Sequence, residues 1–549
     1  MACATGIIFM PAYFFMDCNS TRLPYADTGY FSAIAVDYLN QSLSLQSFYQ
    51  HPVSKEGLKA AINNRKAFTN HRQLLVEELK KQYAAVPAVA AVQDNIDKLL
   101  SENTFTICTA HQPAIFTGHL YFIYKIVHAI KLAEQLKKDF PGYEFVPVFW
   151  MGSEDADLDE LGHIFLSGEK LVWNTQQTGA VGRMKTKGLD AVIHRISGEL
   201  SVQPHGRELV QLISDCYLAS PDIQTATFKL LHQLFAEYGL IVLLPDNANL
   251  KRIMQPVFED DLFAQKPSSI VEKTIERLGE KYKVQANPRA INLFYLKDGI
   301  RNLIELKDGV YEVRDTDIKF SKEEVQKELS EHPERFSPNV ILRGLYQETL
   351  LPNIAFVGGG GETAYWLELK DLFDAYNVPF PVLVLRNSFL IVEKKWQEKI
   401  GKLGFDIKDF FQSSQELLTA LVSRHKNGEL KLNNELEAAT QVFQLLKNKA
   451  GAVDKSLLKH VEALQAKTIK PLQELEKKML RAEKRKYEAE QRQIQQVKSA
   501  LFPLDGLQER VDNFMPYYAK YGRDFIKLIY DHSLTLEQEF MILTLSNES

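Results

Sequence analysis

Cysteine is scarce in this chain: four residues in 549, Cys3, Cys18, Cys108 and Cys216, with no CxxC pair among them. That scarcity excludes a disulfide framework and a zinc ribbon, and it fits a reducing cytoplasm. Membrane signals are missing as well. The stretch MACATGIIFMPAYFF is apolar but short, lacks a basic leader and is broken by Pro11, so it makes a poor signal peptide and cannot span a bilayer. Residues 1–15 read as a dispensable leader, with Met16 a truer start. An excess of positive charge is also lacking. Lys and Arg number 65 against 70 Asp and Glu, for a formal charge of −5, which argues against a protein that coats nucleic acid or an anionic membrane. Neither G-x-G-x-x-G nor a Walker A loop occurs, and no internal repeat is evident.

What is present is ordinary globular material, 45% hydrophobic and 25% charged, in a chain too long for one simple core. Two or more domains, or one core with large insertions, are expected. TFTICTA (104–110) reads as a strand and is followed by helical spacing from Leu120 through Tyr124, Val127, Ile130 and Leu132. EFVPVFWM (144–151) completes a β-α-β unit and so implies parallel strands. GLIVLLPD (239–246), NIAFV (353–357) and PVLVL (381–385) are further buried-type strands, the last two separated by a helical stretch from Thr363 to Tyr376. A Rossmann-like parallel sheet accounts for all five, with residues 165–235 and 250–345 inserted between them. Residues 282–315 alternate around KDG turns, as a small antiparallel sheet would. From Asn434 the composition turns to Glu, Lys, Gln, Ala and Leu. Gly451 divides this region into a short and a long helix, two antiparallel arms of a coiled coil with stutters. As one helix, 454–500 would be roughly 70 Å long.

Three stretches could carry chemistry. In HQPAIFTGHLYFIYK (111–125), a loop leaves a strand end for a helix start, where α/β sheets bind ligands. There His111, Thr117, Gly118 and His119 suit an anion; a helix cap with two surface histidines is the alternative. In GSEDADLDELGH (152–163), five carboxylates follow an interior strand. Glu154, Asp155 and Asp157 could hold an ammonium, act as a general base toward an amine, or ligate a divalent ion, or they could be a solvated helix start. In NIAFVGGGGETAYW (353–366), Gly358, Gly359, Gly360 and Gly361 join strand to helix, offering backbone amides to an anion or sugar with Glu362 facing it, or else forming a flexible turn. KFSK (319–322) reads as a capping box, Ser321 with Glu324. KKMLRAEKRKYEAEQRQ (477–493) reads as a solvated coiled-coil face.

These three stretches, together with LFPLDGLQERVDNF (501–514), resemble the cysteine-adding enzymes of bacillithiol biosynthesis, the BshC family, in order from about Asp17 to the end. The resemblance implies a class I nucleotidyltransferase-like Rossmann core in two parts, 1–165 and 346–395. Connecting-peptide insertions would occupy 166–345, interleaved with a core strand near 239–246. A coiled coil at 396–502 would serve homodimerisation, and a C-terminal segment, 503–549, would pack back on the core. The implied reaction joins the carboxyl of cysteine to the amino group of glucosaminyl-malate in the cytoplasm, with no nucleic acid or membrane partner. FTGH (116–119) stands in the place of the H-x-G-H signature, with His119 matching its last histidine and Phe116 replacing its first. The lysine-rich signature is absent, and Arg386-Asn387-Ser388 only echoes it. These departures count against adenylate formation by the usual route and leave ATP or ADP as the candidate nucleotide. His119, the glycine loop and Arg183 or Arg386 would hold the malate carboxylates, and the amine would sit against Glu154 to Asp157. Cys108 and His111 form a C-x-x-H pair, but zinc is not expected. A degenerate class I synthetase-like enzyme and a non-catalytic coiled-coil scaffold are the alternatives.

Overall fold

The computed structural model describes residues 18–425 and 431–546; the leader expected at 1–15 lies outside the described residues. Five strands, β1 (Thr104–His111), β2 (Glu144–Met151), β3 (Ile241–Leu243), β4 (Asn353–Gly358) and β5 (Val382–Leu385), form the central sheet. Its order is β5-β4-β1-β2-β3, and every pairing is parallel. Val, Ile, Phe and Leu fill these strands because both faces are covered, as parallel sheets require. The strand expected over 239–246 pairs through only three residues. Beyond it the Gln82 side chain serves the backbone instead, accepting from the Leu244 N–H at 3.0 Å.

α1 (Tyr121–Asp139) is the crossover from β1 to β2. The chain builds outward from β1 to β2 and β3, then returns to lay β4 and β5 on its other side. The order therefore reverses between β1 and β4. Connections leaving the carboxyl ends of those two strands diverge there, which opens a crevice.

α2 (Gly360–Leu367) starts inside the glycine run, three residues before the expected helix, and a separate helix, Lys370–Ala375, follows. Glu362 sets the start by accepting the Gly359 N–H at 2.8 Å. The four glycines are therefore not a flexible turn, and none takes a positive φ. Close approach is the reason for one of them: a Cβ on Gly358 would lie 2.7 Å from the Phe356 ring and 3.2 Å from the Glu362 Cβ.

The inserted region carries helices Leu189–Leu200, Gly206–Tyr217 and Ile223–Phe235, followed by an antiparallel sheet that includes Leu293–Lys297 and Ile300–Lys307. Gly299 and Gly309 take the left-handed turn positions of the two KDG motifs. Ser321 and Glu324 form the expected capping box.

A second sheet has no counterpart among the expected elements. Glu539–Leu545 pairs antiparallel with Cys18–Pro24 and parallel with Phe389–Val392, tying both ends of the described chain to the strand that follows β5. The helical arms are α3 (Asn433–Val453), α4 (Leu457–Lys484) and α5 (Glu488–Leu501). Lys447 pairs with Glu462 at 2.7 Å and the Leu432 N–H reaches Glu476 at 2.9 Å, so α3 and α4 form an antiparallel hairpin. Its turn falls at Asp454–Ser456, not at Gly451, which stays helical and lets Leu458 come within 3.0 Å of where a side chain would begin. The single long helix is also interrupted, at Arg485–Tyr487. There the chain passes from an exposed arm to α5, whose Ile494, Val497 and Leu501 are buried against the body. At 28 residues, α4 is about 42 Å long.

Candidate active site

Loops from four strand ends meet at the β1/β4 crevice around a cavity of about 720 Å³. β1 supplies His111 and Gln112, β2 supplies Asp155 and Glu160, β4 supplies Gly359 to Glu362, and β5 supplies Arg386. The inserted region adds Arg301 and Arg343, α1 adds Tyr121 and Lys125, and Arg510 arrives from beyond the coiled coil. Five cations (Lys125, Arg301, Arg343, Arg386, Arg510) thus share the cavity with three carboxylates (Asp155, Glu160, Glu362).

Lys125 lies one turn after Tyr121 on the same face of α1. It is buried, donates to the Ala110 carbonyl at 2.8 Å and pairs with Glu362 at 2.5 Å. Burial pulls its pKa down, and Glu362 opposes that shift. The ring of His111 stands between two partners: Nδ1 is 2.9 Å from the Gln112 carbonyl and Nε2 is 3.1 Å from the Tyr121 hydroxyl. A carbonyl only accepts, so Nδ1 carries the proton and Nε2 accepts from Tyr121. Burial, with nearby Lys125, lowers the His111 pKa to about 3, so the ring is neutral. Burial pushes Tyr121 up to about 12.

Asp155 accepts from Gln112 at 3.1 Å and from Arg343 at 3.4 Å, with Arg301 at 3.8 Å. Burial opposes its charge, but Arg343 and Arg301 outweigh burial and hold the pKa at about 2. Glu160 is the contrasting carboxylate: burial, then Asp157 and Asp155, raise its pKa. Arg386 is buried, pairs with Glu509 at 2.7 Å and lies 5.0 Å from the centre of the Tyr121 ring.

Seven of the residues singled out from sequence line this cavity: His111, Asp155, Gly359, Gly360, Gly361, Glu362 and Arg386. The others do not. Glu154, adjacent to Asp155, turns away into a buried ion pair with Lys251. Lys251 also pairs with Asp246 at 3.3 Å. Arg183 is spent on the same network, gripping both oxygens of Asp246 at 2.6 and 2.7 Å. Asp157 caps the short helix Leu158–Leu161 by accepting the Glu160 N–H at 3.0 Å. Gly358 ends β4, and its carbonyl accepts the Arg386 N–H at 2.7 Å.

Thr117, Gly118 and His119 belong to a clamped loop beside the cavity. Phe116, Thr117 and Gly118 all have positive φ, a strained run for two side-chain-bearing residues. Asn513 holds it by donating to the Phe116 and Gly118 carbonyls at 2.9 and 2.5 Å, while Leu120 N–H donates to the Asp512 carbonyl at 2.6 Å. His119 is tied down too, its Nδ1 donating to the Val511 carbonyl at 3.4 Å.

The principal omissions from the sequence reading are Lys125, Tyr121, Arg301, Arg343, Glu160 and Arg510. A polar pair at i and i+4 on the core face of α1 was a readable signal for Tyr121 and Lys125. Arg301 and Arg343 had none, because only the fold of the inserted region brings them to the sheet.

The Cys108 thiol is buried within β1, and its pKa is pushed well up by burial. Among the described residues no group of three His, Cys, Asp or Glu side chains is arranged to hold a metal ion, and no helix is long and apolar enough to cross a membrane.

Comparison with known proteins matches the whole architecture. The family model described as the N-terminal Rossmann-like domain of bacillithiol biosynthesis BshC matches residues 16–387, and that of the C-terminal coiled-coil domain matches 389–545. A Flavobacterium johnsoniae protein named "Putative cysteine ligase BshC" is 40% identical over 531 residues, covering 96% of this chain and 99% of its own. Proteins of the same name from Cytophaga hutchinsonii and Bacillus cereus are 40% and 25% identical, covering 90% and 93% of this chain and 93% and 98% of their own.

Proposed function

The chain belongs to the BshC family of bacillithiol biosynthesis, and from that premise we propose that it is a cysteine ligase. The reaction we infer joins the carboxyl of cysteine to the amino group of glucosaminyl-malate, forming an amide in the last step of the pathway, in the cytoplasm.

One observation carries this reading: guanidiniums and carboxylates from separate parts of the chain share one cavity of about 720 Å³. An acceptor with two carboxylates and an amine needs both kinds of group within a molecule's length, and the volume is in the range of small-molecule sites. Arg301, Arg343, Arg386 and Arg510 suit the malate carboxylates, since a planar guanidinium can meet a carboxylate with two hydrogen bonds.

For the proton of the amine the candidate is Glu160. Asp155, expected from sequence as a base, is held near pKa 2 by two arginines and has little tendency to take a proton. Its role in this reading is to fix Arg301 and Arg343. Glu154 and Asp157 are occupied elsewhere, and His119 serves the loop that borders the site. Burial, Asp157 and Asp155 raise the pKa of Glu160, the direction that makes a carboxylate a better proton acceptor.

Adenine nucleotide remains the candidate for activating the cysteine carboxyl; bound, it would supply the leaving group that a free carboxylate lacks. The backbone amides of Gly360 and Gly361 at the start of α2 are the groups in the cavity left for phosphate oxygens. We further propose a homodimer through the hairpin of α3 and α4, where Leu445, Leu446 and Leu475 are exposed.

The test is direct. Purified protein with glucosaminyl-malate, cysteine and ATP should yield bacillithiol, read by mass spectrometry. Folded protein that reproducibly forms no product would favour a scaffold instead.

A further inference from the structure

We propose that Glu509 is a positioning residue of this pocket: from the segment that follows the coiled coil, it fixes the Arg386 guanidinium where an acidic group of the acceptor must bind. The inference rests on the ligase reading for its substrate, but not for its geometry.

Glu509 is fully buried and sends both oxygens to one short stretch. Oε1 accepts from Arg386 Nη2 at 2.7 Å and from the Ser388 hydroxyl at 3.1 Å; Oε2 accepts the Phe389 N–H at 3.3 Å. Arg386 Nη1 donates to the Asn387 carbonyl and the Ser388 hydroxyl, both at 3.0 Å. Two edges of the guanidinium are therefore occupied by protein. The Nε edge faces Gly359, where a side chain would begin 3.6 Å away, and Gly359 lines the cavity. Arg386 itself lines the same cavity.

Glu509 is itself held in place. The neighbouring Gln508 side chain accepts the Ile391 N–H at 2.9 Å and donates to the Ile391 carbonyl at 3.1 Å, extending the strand edge that follows Arg386. The next residue, Arg510, lines the cavity directly. The physical need is plain: Lys125 and Arg510 share the cavity, and a buried guanidinium among like charges stays only with a buried counter-ion. Arg386 falls in the part of the chain matched by the Rossmann-like model and Glu509 in the part matched by the coiled-coil model. The pocket is thus completed across that division.

Glu509→Gln keeps the shape and removes the charge. Its KM for glucosaminyl-malate should rise about tenfold, the loss of one charge-assisted contact, with kcat within about threefold of wild type. Arg386→Lys combined with Glu509→Gln should be no worse than Arg386→Lys alone, since both act through one guanidinium. Independently of any reaction, butanedione labelling of Arg386, read by peptide mass spectrometry, should increase several-fold in Glu509→Gln. Unchanged labelling overturns the proposal, whether or not the protein is a ligase, and so does an additive double variant. If wild type makes no product, the ligase reading falls while the labelling still decides the role of Glu509. Should Glu509→Gln not fold, Glu509→Asp, which retracts the charge by one methylene, is read by the same labelling with the same two outcomes.

Discussion

Lys125, buried on α1, and Glu362, in the first turn of α2, meet at 2.5 Å across the point where the sheet reverses its strand order. Glu362 also caps α2 through the Gly359 N–H, and Lys125 also holds the end of β1 through the Ala110 carbonyl. One ion pair therefore ties together the two loops between which the crevice opens.

Lys125→Met should be destabilising as well as damaging to activity. Lys125 is buried while Glu362 is 23% exposed at the cavity, so losing the charged contact should cost about 2 kcal/mol. Urea unfolding should show the midpoint lowered at unchanged slope; a midpoint equal to wild type would mean the pair is not formed in solution.

Glu160→Gln should lower kcat by about two orders of magnitude, the usual contribution of a positioned base, and leave the fold intact. The wild-type rate should rise with pH through a group titrating above the ordinary carboxylate range, as burial, Asp157 and Asp155 require for Glu160. In the variant that rise should vanish. An unchanged pH–rate profile would remove Glu160 from the chemistry.

Asp155 links stability to pH in a stated direction. Its folded pKa of about 2 lies below the ordinary value of 3.8, so it stabilises the fold above the ordinary value, and this is lost as pH falls from about 4 toward 2. The difference corresponds to about 2 kcal/mol. Asp155→Asn should be less stable than wild type by about that much at pH 7, with the gap closing in acid. A gap that does not change between pH 7 and pH 3 would contradict the arginine pairing.

Leu445→Asp with Leu475→Asp should separate the proposed dimer. Light scattering should give twice 62.7 kDa for wild type and one chain mass for the variant. Wild type at a single chain mass would end the dimer proposal.

Apolar runs alone made the core legible. The five strands read from them are the five strands of the central sheet, because a parallel strand covered on both faces has to be apolar throughout. The glycine run and the acidic run both lie at strand ends, as expected, since a sequence shows where a strand stops. Which side chain of each run faces the cavity was not readable. Glu154 and Asp155 are adjacent and chemically alike, yet Lys251 draws one into the interior while Arg343 and Arg301 hold the other in the pocket. Partners nearly one hundred residues away or more decide such orientations, and periodicity does not encode them.

The same limit applies to the sheet of Cys18–Pro24, Phe389–Val392 and Glu539–Leu545. Each strand is short, and only closure of the chain ends makes them pair. By itself the sequence determined the five strands of the parallel sheet, the helical arms and the strand ends at which the cavity opens, because all of these follow from local patterns of apolar residues and glycine. Tertiary structure alone decided that Arg301, Arg343, Arg386 and Arg510 stand around one cavity and that Glu509 neutralises one of them. Charge pairing depends on distance in space, and the fold is what sets it.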